Sequence, residues 1–178
     1  MKRLIIFTII TLILSAGAMA NTPGEQNRGK PKSKIEKFLQ KLPIDATAGI
    51  EYTYISANIL KGIYSMFPGG KESPFGTITT ALKSIRYVKK FETTTADGYS
   101  KLKEKAAPLL ACDDEIMGMN LLTVNSENRE TATIYSNKEN TLIIAHNSDK
   151  KELTLTFIAG ISMEKLSSLT ENGFNLNF

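Results

Sequence analysis

Residues 152–160 read ELTLTFIAG, and this stretch decides the fold. Successive side chains of a strand point to opposite faces. Leu153, Leu155, Phe157 and Ala159 therefore share one face, and Thr154, Thr156 and Ile158 share the other. One apolar face and one mixed face describe a half-buried antiparallel strand. The four residues Asn147-Ser148-Asp149-Lys150 just before it are a hairpin signal, because Asn and Asp side chains hydrogen-bond to nearby backbone in turns. Residues 141–146 are an apolar run ending at His146, which makes them the outgoing arm of that hairpin. Further back, residues 131–136 alternate, turns are expected at 126–130 and 138–140, and 116–124 read as one extended segment. The last third of the chain is thus an antiparallel block.

Upstream of the block, strands alternate with helices. Residues 49–55, GIEYTYI, are rich in β-branched and aromatic residues and read as a strand. Ser56 can cap a helix over 57–67 whose apolar face is Ile59, Leu60, Ile63, Met66 and Phe67. Residues 68–76, PGGKESPFG, are the strongest loop signal in the chain. Gly69-Gly70-Lys71 superficially resembles a phosphate loop, but Ser65 stands where its first Gly belongs and Glu72 where Ser or Thr must hold magnesium. A helical turn at 79–83 leads to a second strand over 84–93, SIRYVKKFET. Thr94 or Thr95 caps a helix running through Ala111, with Pro108 bending its last turn. Ser162 can cap a short final helix to Leu169, and 171–178 form a tail. This order predicts an α+β domain over 45–170. Its sheet would be single, mixed and largely antiparallel, with about five to six strands and two main helices on one face. The other face would carry Thr, Lys, Arg and Asn.

The N-terminus has a different character. Met1-Lys2-Arg3 precede the apolar run LIIFTIITLIL at 4–14, and Ala18-Met19-Ala20 follow. A basic segment, an apolar run and a small-x-small step make a secretory signal peptide over 1–20, cleaved between Ala20 and Asn21. The apolar run is shorter than the roughly 20 residues that span a bilayer, so no transmembrane segment is expected in the mature chain. A lipid anchor would need Cys at the cleavage point, where Asn21 stands. Residues 21–33 form a flexible linker, and 34–44 a short amphipathic helix stopped by Pro43. Ile35, Phe38, Leu39 and Leu42 make its apolar face; Lys34, Lys37 and Lys41 lie opposite. At this length, docking on the domain is favoured over stable membrane binding.

The chain of 178 residues carries 22 Lys and Arg against 18 Asp and Glu, a net charge of +4. Removal of Lys2 and Arg3 with the signal leaves +2. Residues 21–44 hold six basic and two acidic residues, so the remaining domain is net −2. Any electrostatic contact with an anionic membrane surface is therefore expected at residues 28–41, and it would be weak. With one Cys, one His and no Trp, a disulfide scaffold is excluded and a zinc shell is not supplied. Export removes the usual target, and the basic residues are not interleaved with aromatics across one set of strands, so nucleic acid is not expected.

Four stretches together carry a resemblance: EYTYISANILK, SIRYVKKFETT, a Lys-rich helix and ELTLTFIAGISMEKLSSL. Over residues 42–169 the chain resembles the bacterial domain-of-unknown-function family 4252, small exported proteins of Bacteroidetes. Tyr54-Ile55-Ser56 is similar to the family's step from strand into helix, and Gly160 to its turn before the closing helix. The resemblance implies an exported α+β protein and supplies no reaction. Many members look like lipoproteins, from which this chain departs at Asn21.

Nothing in the sequence assembles a catalytic set, a metal site or a cofactor site. His146 and Asp149 sit across one hairpin with no nucleophile elbow. Asp113-Asp114-Glu115 lacks calcium-loop spacing and reads as a solvated connection. Cys112 follows Leu109, Leu110 and Ala111 and is expected to be buried; its acidic neighbours would raise a thiol pKa. Met66, Met117, Met119 and Met163 fall at core-like positions. The expected function is a non-catalytic, periplasmic or secreted protein that binds another envelope protein through a sheet face or edge. The alternative is a periplasmic small-ligand carrier with its site between sheet and helices, near Tyr52, Tyr54, Tyr87 and Tyr99. Against it stands plain core packing of those tyrosines with their hydroxyls at the rim.

Overall fold

A computed structural model describes residues 33–65, 83–127, 129–162 and 165. The expected signal segment and cleavage site, most of the expected linker, the expected loop at 68–76, most of the helical turn expected at 79–83, nearly all of the expected final helix and the expected tail lie outside the described residues.

Seven strands form one sheet: β1 (Ile50–Ser56), β2 (Tyr87–Thr93), β3 (Glu115–Ile116), β4 (Met119–Glu127), β5 (Glu130–Ser136), β6 (Asn140–Asn147) and β7 (Glu152–Ala159). Three helices accompany them: α1 (Lys34–Leu39), α2 (Ala57–Ser65) and α3 (Ala96–Leu110). The α+β class stands, with seven strands where five to six were expected. The difference lies at 116–124, where Met117 (φ 50°) and Gly118 (φ 81°) split one expected strand into two. Ile116 pairs with Met119 across that two-residue turn. Two positive φ values match the right-handed twist of a hairpin, and Asn-Gly is the usual sequence for it; Met at the first position hides the signal.

The strand order is β1-β2-β7-β6-β5-β4-β3 and all its pairings are antiparallel, not mixed. The last strand, β7, enters between β2 and β6 and becomes central. Its alternation therefore reports the whole sheet. Leu153, Leu155, Phe157 and Ala159 face the main core with Phe91, Leu142, Ile144 and Tyr135 of neighbouring strands.

Chain β2 lies near one edge and β3 at the other, so α3 must carry the chain across. Its 15 residues span about 22 Å at 1.5 Å per residue. Five strand spacings come to about 24 Å. Thr95 caps the helix by accepting from Gly98 N at 3.0 Å and donates to Ala48 O at 2.6 Å, which pins the helix start to the entry of β1. Tyr99, Leu102, Ala106 and Leu109 point into the sheet at near-helical spacing. Pro108 sits in the last turn, as expected.

The second helix on this face is α1, not α2. Ile35 and Leu39 of α1 are fully buried in the main core. Helix α2 contributes no side chain to that cluster among the described residues, although its Leu60 is buried. Ile55, Val88 and Ile158, cross-strand neighbours on the opposite face, are buried outside it as well. The sheet thus has one long apolar face under α1 and α3, and a second face apolar only at one end.

Candidate functional site

The tyrosines singled out from the sequence divide into two places. Tyr54 and Tyr87 lie together at the β1–β2 corner with ring centroids 5.7 Å apart, and Tyr87 also meets Phe157 at 6.1 Å. Tyr52 packs on Phe91 at 5.0 Å. Tyr99 is apart from all three: it stands on α3 and stacks on His146 at 5.8 Å, interplanar angle 16°. These are ring-on-ring contacts with the worth of packing.

The β1–β2 corner holds a polar cluster that the sequence reading missed. Glu36 of α1 is only 3% exposed. Its carboxylate accepts from Ser33 N at 2.7 Å and from the Tyr87 hydroxyl, while Ser33 Oγ accepts from Glu36 N at 3.3 Å. Ser33 and Glu36 are a capping box, and the S-K-I-E spacing at 33–36 was the available signal. Burial, then the bond to Glu36, pushes the Tyr87 hydroxyl far above its ordinary pKa. Burial pulls the Lys89 ammonium below its ordinary value, and the Glu36 charge opposes that. Lys89 Nζ sits 5.4 Å over the Tyr87 ring. The cluster locks α1 to the sheet: a buried carboxylate must be fully hydrogen-bonded, and only the docked helix provides that.

His146 is half-buried on β6, its Nε2 2.8 Å from the Tyr99 hydroxyl. Asp149 is not its partner; Asp149 pairs with Arg129 at 2.5 Å. Burial, then the Lys103 charge, lowers the His146 pKa below 6.5. The pair bridges α3 and β6 with no nucleophile beside it among the described residues.

At the other end of α3, Cys112 is exposed, contrary to the expected burial. Its φ of 57° takes the chain out of the helix, and its Sγ lies 3.8 Å from Thr133 Oγ1. Asp113, Asp114 and Glu115 are exposed, and the Asp114 carbonyl accepts from Leu121 N at 2.8 Å. Tyr135 beneath them is fully buried, and its hydroxyl finds no hydrogen-bond partner among the described residues. Burial, then Cys112, Asp113 and Asp114, push its pKa up. No group of three metal-capable side chains comes together among the described residues.

The second face of the sheet carries a mixed polar and apolar surface. The register sets two adjoining rows across it: Thr53, Lys90, Thr156, Ile143, Ile134, Thr123, and beside it Glu51, Glu92, Thr154, Ala145, Ala132, Asn125. Thr156 is buried and Glu51 and Thr123 exposed; the rest are half-exposed. Lys90 and Glu92 form an ion pair on this face. At the far edge, Leu122 and Val124 of β4 are exposed aliphatics at 51% and 45%.

No protein-family model matches the chain, and no curated protein or solved structure matches it. Among the described residues no helix is long and apolar enough to cross a membrane.

Proposed function

We propose that the chain is an exported, non-catalytic envelope protein that binds another envelope protein through a face or edge of its sheet. The observation that carries this reading is the pair of rows on the second face. They mix Thr, Lys and Glu with Ile and Ala, and neither α1 nor α3 lies on them. Half-exposed mixed surface of this kind suits protein recognition, where specificity comes from polar groups around apolar contacts. The signal-like N-terminus and the resemblance to family 4252 support export to the periplasm or beyond. A small-ligand carrier would need the tyrosines to line one site; Tyr99 stands apart and the other three rings pack on each other or on Phe91 and Phe157.

Contact with an anionic membrane is a separate, minor element of the proposal. Lys34, Lys37 and Lys41 remain exposed on or beside α1 while its apolar face is docked. Such contact would therefore be electrostatic and without insertion.

Capture from native envelope extract tests the partner reading. The exchange Lys90→Glu with Glu92→Lys keeps the ion pair and inverts its direction on the face. Wild type should enrich a protein that the exchanged variant does not, with both showing the same circular dichroism and Tm. Equal enrichment by both, or enrichment by neither, would contradict the reading.

A further inference from the structure

We infer that Lys89 is the nucleophile of a covalent binding site, where its side-chain amine condenses reversibly with a small neutral aldehyde or ketone. The inference goes beyond the partner reading. Lys89 lies on the main-core side of the sheet with Phe157, away from the two rows of the second face.

Lys89 stands in the middle of β2, opposite Tyr54 of β1 and Phe157 of β7. Tyr87 precedes it by two residues on the same face, with its ring centroid 5.4 Å from Nζ. Glu36 of α1 completes the corner by accepting from the Tyr87 hydroxyl. The residue is only 9% exposed. Burial of the alkyl stem is ordinary, since long side chains cover apolar surface and keep the charged head in water. The head is what departs from the ordinary. Among the described residues Lys89 Nζ has no hydrogen bond and no ion pair; it rests over the Tyr87 ring. Nor is it sealed in. Among the described residues only Tyr135 Oη is both enclosed and unbonded, so the unbonded Lys89 Nζ meets solvent.

A nine-tenths-buried amine that makes no bond and still meets solvent points to a ligand. Burial withdraws the water that stabilises an ammonium and so favours the neutral amine with its free lone pair. The Glu36 charge opposes this, and burial outweighs it. The other titratable groups beside Lys89 are Tyr54 on β1 and Tyr87 on β2; β7 presents Phe157. Charge then selects the ligand. An anion would face the Glu36 carboxylate, and a cation would face Lys89 itself. A neutral carbonyl meets neither obstacle and uses the lone pair. Lysines desolvated against apolar walls are those that form Schiff bases. The amine lone pair attacks the carbonyl carbon, a C–N bond forms, and the C=O π pair moves to oxygen. That oxygen takes a proton from the nitrogen, then leaves as water with the second one. The product is an imine, water is released, and no oxidant or reductant is consumed.

The test is reaction of the purified protein with benzaldehyde over a pH series. Cyanoborohydride reduces the imine to a stable secondary amine, and mass spectrometry maps the modified lysines. Lys105 and Lys150, both exposed, are the references. The expected result is an adduct at Lys89 that forms several-fold faster than at either reference at neutral pH, with a rate that levels off at lower pH. Glu36→Gln removes the opposing charge and should move that levelling lower still. A lysine that only snorkels would show neither effect. Labelling of Lys89 no faster than Lys105 and Lys150 would therefore overturn the proposal, as would a pH profile parallel to theirs or one unmoved in folded Glu36→Gln. Wild type alone decides the matter if that variant does not fold. Failure here leaves capture by the second face unaffected, so the two readings fail separately.

Discussion

His146 shows what a single half-buried titratable group does to the fold. Its neutral ring is the form that suits the contact with the Tyr99 hydroxyl under the Lys103 charge. Because its folded pKa lies below the unfolded value, the folded state binds a proton less readily than the unfolded one. Stability is therefore intact above about pH 6.5 and declines as pH falls through that value toward the lower folded one. His146→Gln removes the titration while keeping a partner for Tyr99. Urea midpoints at about pH 7.5 and 5.5 should fall further for wild type than for the variant; equal falls would show that His146 does not carry the slope. The residue scale is also where the sequence was least legible. His146 was read as the end of a hairpin arm close to Asp149, and its partner is a tyrosine 47 positions away. Cys112 was read as buried from its apolar neighbours, yet the turn of the backbone at that residue decides its exposure. Glu36 was not singled out from the sequence, and its burial follows from the docking of α1 against Tyr87. Long-range partners of single side chains leave no local trace in a sequence.

At the scale of elements, periodicity and caps carried most of the information. The helix from Thr95, the strand at 152–159 and the Asn147 turn stand where alternation and turn chemistry put them. In that turn, Asn147 Oδ1 accepts from Asp149 N and Lys150 N at 3.1 and 3.0 Å. The split of 116–124 escaped because Met-Gly is not a recognised hairpin pair, and the face chosen by each helix escaped because it depends on packing across the sheet. One junction between elements is tight enough to predict from. Gly98 in the first turn of α3 sits against the entry of β1: a Cβ there would lie 2.4 Å from Gly49 O and 2.7 Å from Ala48 O. Both obstacles are backbone and cannot rotate away. Gly98→Ala should therefore destabilise the protein by about 1–3 kcal/mol despite the better helix propensity of Ala. Chemical denaturation checks this; an unchanged or raised midpoint would mean the α3–β1 junction is looser than described.

For the whole molecule, the strand order explains how the chain is used. Entry of β7 between β2 and β6 ties the first and last thirds of the domain into one sheet, so α3 can span it and seal a single core. One face is then committed to stability. The second face lies outside that main core, and its polar alternation was already visible in Thr154 and Thr156. Site-specific photocross-linking in the native host addresses this division most directly. A photoreactive residue at Thr154, in the middle of the second face, is compared with one at Lys105, on the outer side of α3. The account predicts an adduct with another envelope protein from position 154 and none from 105; adducts from both alike, or from 105 alone, would contradict it.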